Sequence, residues 1–309
     1  MKKITASKVL FIKLGSSGEW KKECLLEKKN VIRFGFFEFD HELCLKGDWD
    51  FIRNYYEKEG RNKGKITMYI NQLKAFYESP ESILWITFAD QKMWWCFASR
   101  NFEGSGKTEK FRLVQGEWSD KNINGDLLLA SKLSGQLLKT QMYQSTICEV
   151  EAAEYVVRKI NSEKLPEVLE VELNFEQLRI SIPKLFKKLT DKDFEIFVDL
   201  IFRHMGCQRV GAIGKTQKDI DIELLMPVSG ERFLVQVKSR ADLRIFREYN
   251  DMFLKTDGYS KFFFVVHSPS HDLQKYISDN QNVVIWKAKE LSEHCINSGL
   301  TQWLIDKVN

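Results

Sequence analysis

Residues 218–239, KDIDIELLMPVSGERFLVQVKS, constrain the fold more than any other stretch of this 309-residue chain. Two runs of alternating apolar residues flank Pro227, Val228, Ser229 and Gly230, a turn sequence that predicts an antiparallel hairpin. Side chains at i and i+2 of a strand share a face. Asp219, Asp221 and Glu223 are therefore expected to point one way while Ile220, Ile222 and Leu224 enter a core. On the second strand Phe233, Val235 and Val237 fall on one side, and Leu234, Gln236 and Lys238 on the other. The turn brings Asp221 towards Gln236 and Lys238. Such a face can simply be solvated, with acids and a lysine pairing weakly across strands. Against that, Leu234 lies beside Gln236, and the following run KFFFVVHS (261–268) is apolar almost throughout. The sheet is thus expected to be covered on both faces, where charges line a cleft rather than open water.

The chemistry that uses such a set is metal-assisted hydrolysis of a phosphodiester. Magnesium takes oxygen ligands in near-octahedral geometry and keeps several waters. Asp221 can supply a carboxylate, Gln236 an amide oxygen and Val237 its backbone carbonyl, while Lys238 can hold an attacking water or offset charge on the phosphate. A further acid comes from LTDKDFEIFVDLIFRHMG (189–206), a helix with Thr190 as its cap, Asp191 and Asp193 in its first turn and Gly206 beyond its end. Glu195 lies within it, flanked by Phe194, Phe197, Val198 and Ile201.

This helix, the KDIDIEL strand and the GERFLVQVKS strand resemble, in order and spacing, the Mrr-like branch of the PD-(D/E)xK nuclease superfamily. The resemblance covers about residues 189–240 and continues plausibly to the end of the chain. It implies a restriction-endonuclease-like α/β fold, a mixed sheet flanked by helices, over residues 185–309. It also implies that Glu195 assists metal binding, that Asp221, Gln236 and Val237 are ligands, and that Lys238 is the catalytic lysine. Mg²⁺ would be the cofactor, with Mn²⁺ able to substitute, and DNA the substrate. Relatives commonly carry glycine-rich sequence before the aspartate, whereas here it is KTQKD (215–219), which leaves Asp219 as an alternative to Asp221. Asp219 and Glu223 are each either supporting carboxylates or solvated acids. His267 and His271 have the spacing of a zinc-binding helix, but Pro269 between them reads as loop, and Cys207 reads as packing.

The first half has another texture. KVLFIKLG, VIRFGFFEF, ILWITFAD, KMWWCFAS and KFRLVQGEW read as short strands, and DWDFIRNYYEKEG and GKITMYINQLKAFYES as helices. The expectation is an α+β domain over residues 1–150 built on a small curved β-barrel. Six of the eight tryptophans lie here. Trp20, Trp85, Trp94 and Trp95 are candidates to stack nucleic-acid bases, although any single one of them reads first as core. Adjacent Trp94 and Trp95 cannot share one core, so one of them lines a groove, a second core or a partner surface. Lys13, Lys92, Arg100 and Arg112 lie near these stretches and could contact phosphates, whereas KEGRNKGK (58–65) reads as a solvated loop. GSSGEW (15–20) and LWITF (84–88) are loosely similar to the PUA-like group that includes EVE and YTH domains, several of which hold a modified base in an aromatic cage.

Residues 151–184 read as a helical linker, with STICEVEAAEYVVRKIN as a helix and SEKLPEVLEVELNFEQ as a charged connection. The formal charge is +4, with a net +5 in the first 160 residues and −1 in the rest. Six cysteines without a CxxC pair suit a reducing cytoplasm. The opening apolar run is broken by Lys13, too early for a signal peptide, and no run is long enough to span a membrane. The chain therefore reads as a Mg²⁺-dependent DNA endonuclease of restriction or phage defence, reader first and cutter second, with modified DNA as the target. One site cuts one strand, so double-strand cleavage calls for a homodimer or two encounters. The rival readings are a non-catalytic nucleic-acid-binding protein on a nuclease scaffold, and a structure-specific nuclease acting on branched DNA.

Overall fold

A computed structural model describes residues 2–27, 30–210 and 220–309. The chain divides into two compact units, Met1–Leu165 and Pro166–Asn309.

The first unit contains β1 (Lys8–Ile12), β2 (Val31–Arg33), α1 (His41–Lys46), α2 (Trp49–Lys58), α3 (Lys63–Glu78), β3 (Ile83–Ala89), β4 (Lys92–Glu103), β5 (Phe111–Val114), α4 (Gly135–Lys139), β6 (Ile147–Glu149) and α5 (Ala153–Ile160). Its strands form one sheet in the order β2-β5-β4-β3-β1-β6, parallel only between β1 and β3. The end strands β2 and β6 do not pair among the described residues, so the sheet is open and the expected PUA-like barrel is not supported. The alternation of each strand feeds two cores. Leu10, Ile12, Trp85, Trp94 and Cys96 join Ile52, Tyr56, Ile66 and Phe76 from α2 and α3 on one face. Val9, Phe11, Leu84, Ile86 and Trp95 join Leu137, Val156 and Ile160 on the other. Sheet faces covered on both sides are what an open sheet needs in place of closure.

The second unit comprises α6 (Pro166–Phe186), α7 (Asp191–His204), β7 (Gln208–Arg209), β8 (Ile222–Leu225), β9 (Arg232–Ala241), α8 (Leu243–Leu254), β10 (Lys261–Pro269), α9 (His271–Lys275), β11 (Val283–Trp286), α10 (Ala288–Asn297) and α11 (Thr301–Val308). The expected linker is in fact two different things. Its first part is a short strand followed by α5, inside the first unit; its charged part is the long helix α6, which opens the second. Pro166 at the first helical position starts α6, because a proline there lacks only an N–H that would be unsatisfied anyway.

The sheet order is β11-β10-β9-β8-β7, with β9, β10 and β11 parallel and β8 antiparallel to β9. This is the expected mixed sheet. The hairpin closes as predicted: the Met226 N–H donates to Glu231 O at 2.8 Å, and Gly230 takes the positive φ of 72° that the turn demands. Phe233, Val235 and Val237 enter a core with Phe194, Phe197, Val198 and Ile201 of α7, while Leu234 enters the opposite core with Phe246 and Phe253 of α8. Ile220 departs from expectation. It packs against the α8 side, whereas Ile222 and Leu224 join the α7 side. Residue 220 lies before β8 begins, so strand alternation does not bind it.

Candidate active site

Three elements bring the predicted residues together. α7 is capped as its sequence suggests, Thr190 Oγ1 accepting the Asp193 N–H at 3.1 Å. Its buried stripe of Phe194, Phe197, Val198 and Ile201 fixes its rotation against the sheet and leaves Glu195 half-buried at the margin. β8 and β9 pair with Ile222 opposite Val235, and one further step of that register sets Asp221 opposite Gln236. Asp221 Oδ2 accepts the Val237 N–H at 2.8 Å and also a hydrogen bond from Gln236 Nε2. Both donors converge on one carboxylate oxygen.

Gln236 is 1% exposed, and its Oε1 is buried with no hydrogen-bond partner among the described residues. Its Nε2 is committed to the carboxylate, so the amide cannot flip without setting oxygen against oxygen. A buried orphan acceptor carries a desolvation penalty of about 1–3 kcal/mol, which a cation would relieve. Asp221 tells the same story. Burial pushes its carboxyl above the ordinary carboxylate range, and Glu195 adds to that rise. The Val237 N–H, Lys238 and Gln236 oppose it. Two acids close enough to repel, beside an unsatisfied amide oxygen and the Val237 carbonyl, form a donor set that fits a hard divalent cation. No group of three or more His, Cys, Asp or Glu is arranged to hold a metal among the described residues, so any ion here depends on the amide and carbonyl oxygens.

Lys238, one residue on, has its Nζ 5.2 Å from the centroid of the Tyr249 ring on α8. That contact holds the ammonium without neutralising it. Lys238, Val237 and Glu195 line a cleft of about 650 Å³ together with Asp191, Arg240 and His267. Asp191 accepts a hydrogen bond from the Ser239 hydroxyl, and Glu195 pairs with Lys192 at 2.9 Å. His267 stands edge-on to Phe194 with ring centroids 4.8 Å apart. Burial lowers its pKa to about 4, with Lys187 and Arg240 pressing the same way and Asp191 opposing. Tyr249, Arg240 and Lys187 carried no signal as single residues; Arg240 could have been found from its position two beyond Lys238 on one strand face.

The remaining sequence candidates are dispersed. Glu223 is tied to Tyr259 at 3.0 Å and to Arg232 at 3.5 Å, away from the cleft. Asp219 lies outside the described residues. His267 lies in β10, two residues before its end at Pro269, and His271 begins α9, so they share no helix. In the first unit, Trp85 is fully buried, and Trp94 and Trp95 are each 8% exposed on opposite faces of the sheet, which realises the second-core option. A base could stack on these three only by displacing core. Trp20 is the half-exposed one, with the Arg33 guanidinium 4.4 Å above its ring. Arg112 is not a phosphate contact. It is wholly buried and donates to the carbonyls of Phe76, Ser79 and Ser99 at 2.6–2.9 Å. Lys92 pairs with Asp120 at 2.6 Å, Lys13 reaches the Tyr143 carbonyl, and Arg100 is exposed. A cleft of about 720 Å³ in this unit holds no comparable set, since Gln72 is spent on the Thr146 and Ile147 N–H groups and Lys8 pairs with Glu149.

Residues 186–295 match the Mrr_cat family model, described as a restriction endonuclease. The nuclease resemblance is thereby supported for the second unit. The match contains Glu195, Asp221, Gln236, Val237 and Lys238, and leaves the first unit outside it. No curated protein and no solved structure matches the chain.

Proposed function

We propose that the second unit is a divalent-cation-dependent DNA endonuclease, with Mg²⁺ as the working ion and Mn²⁺ as a substitute. The observation that carries this reading is a buried Gln236 Oε1 with no hydrogen-bond partner among the described residues, beside an Asp221 carboxyl whose charged form burial disfavours. Asp221, Gln236 Oε1, the Val237 carbonyl and Glu195 would hold the ion. When bound, such an ion polarises a phosphodiester and neutralises charge that develops on it. The protein's own groups do the rest. Gln236 Nε2 and the Val237 N–H fix the Asp221 carboxylate in one orientation. Lys238 Nζ, held over the Tyr249 ring, orients a water by hydrogen bonding and stabilises the non-bridging phosphate oxygens. Phe194 and Val237 contribute apolar surface to the lining of the cleft.

The first unit is read as the nucleic-acid reader of a modification-dependent restriction or phage-defence enzyme. Support comes from its basic excess and from Trp20 under Arg33, rather than from the core tryptophans. One site per chain means that a homodimer or two encounters would complete a double-strand break. The test challenges purified protein and Mg²⁺ with duplexes carrying methylated, hydroxymethylated, glucosylated or unmodified bases. Lys238→Ala and Asp221→Ala are each expected to abolish cleavage while leaving the fold intact. Cleavage at the wild-type rate by both variants would refute the site. Binding without cleavage on every substrate would favour a non-catalytic scaffold.

A further inference from the structure

The candidate cleft carries more positive charge than hydrolysis at one centre needs. β9 and β10 run parallel and both reach it with their carboxyl ends, where crevices in α/β sheets take ligands. Arg240 follows Lys238 by two residues, so it lies on the same strand face, about 7 Å further along. That is roughly one nucleotide step beyond the lysine. Lys187, in the turn after α6, lines the same cleft from another element. Both side chains are exposed, and neither makes an ion pair or a side-chain hydrogen bond among the described residues. Their neighbours are committed: Lys192 to Glu195, Arg244 to Glu248 and Lys307 to Asp193. The acids of the cleft are engaged as well, Asp191 by Ser239 and Glu195 by Lys192. Lys187 and Arg240 line this cleft together with the buried His267. Two unneutralised cations facing one concavity form a binding place for an anion of matching spacing.

We propose that Lys187 and Arg240 form a phosphate subsite that grips a backbone phosphate of DNA next to the phosphodiester presented to Lys238. The subsite rests on the hydrolase reading above and names the part of its substrate held outside the reacting centre. Arg240 supplies a planar fork for two phosphate oxygens, and Lys187 a point charge. They bind and register the strand without touching the reacting atoms.

The test uses the full chain and a fluorescent duplex, with Ca²⁺ replacing Mg²⁺ in the binding arm. Affinity is followed by anisotropy from about 50 to 200 mM salt. The double variant Lys187→Ala/Arg240→Ala should lower the slope of log K against log salt by about 0.9, the value of one phosphate contact, and each single variant by part of that. In the cleavage arm KM should rise several-fold with kcat little changed, and Arg240→Lys and Lys187→Arg should recover most of the slope. The thermal shift produced by Mn²⁺ alone should be unchanged in all of them. If the wild type cleaves and the variants keep its slope and KM, the subsite is overturned while the hydrolase reading stands. If no form cleaves but the slope still falls as stated, the hydrolase reading fails and the subsite survives as a binding site.

Discussion

Replacing Asp221 by Asn tests the central site through stability, independently of any DNA. Both hydrogen bonds to this side chain converge on one oxygen, from the Val237 N–H and from Gln236 Nε2. An Asn amide oxygen in the same place keeps both. Their strength falls from that of bonds to a charged acceptor to that of neutral ones, a loss of about 1 kcal/mol. In return the variant no longer holds a buried negative charge near Glu195, the two effects that raise the Asp221 pKa. Without a divalent ion, variant and wild type should therefore match to within about 1 kcal/mol. With the ion at about 100 times its Kd, the wild type gains about 2.7 kcal/mol by mass action. For a unit of this size that corresponds to a rise of about 5–10 °C in its Tm. The assay is thermal unfolding across an Mg²⁺ or Mn²⁺ titration. The wild-type shift should grow as pH rises through the elevated Asp221 pKa, because protons compete with the cation. An equal shift in Asp221→Asn, or no shift in the wild type, would refute the reasoning.

Glu195→Gln should move the midpoint of that pH dependence downward, since Glu195 is one of the groups raising Asp221; an unmoved midpoint would show that the two acids do not share a site. His267, with its pKa lowered to about 4 by burial, stays neutral in the fold, so its contribution is complete above the ordinary value of about 6.5 and is lost as pH falls towards 4. Urea unfolding of the second unit should give about 2 kcal/mol less stability at pH 5 than at pH 7 from this group, and His267→Phe should flatten that limb. Arg112→Met strips three buried carbonyls of a charged donor, and even after relief of burying a guanidinium held down to about 10, the first unit should lose about 3 kcal/mol. A variant as stable as the wild type in chemical denaturation would contradict that role.

The parts of this protein legible in its sequence are those governed by neighbours along the chain. Alternation and turn residues specified the β8–β9 hairpin, and a capping threonine with an apolar stripe specified α7. Residue type and spacing together therefore brought out Glu195, Asp221, Gln236 and Lys238 before any packing was known. What periodicity does not carry is the identity of whatever covers a face. Trp85 on β3 and Trp94 and Trp95 on β4 were readable both as base-stacking residues and as core; tertiary packing covered both faces of the sheet and buried them. Arg112 looked like a surface cation until carbonyls from Phe76, Ser79 and Ser99 met its guanidinium. Closure of the first sheet was likewise undecidable locally, since it depends on whether β2 and β6 meet. Backbone sterics and side-chain alternation act over a few residues, whereas burial and charge partners come from segments tens of residues apart, so the first set is written in the sequence and the second exists only once the chain has packed.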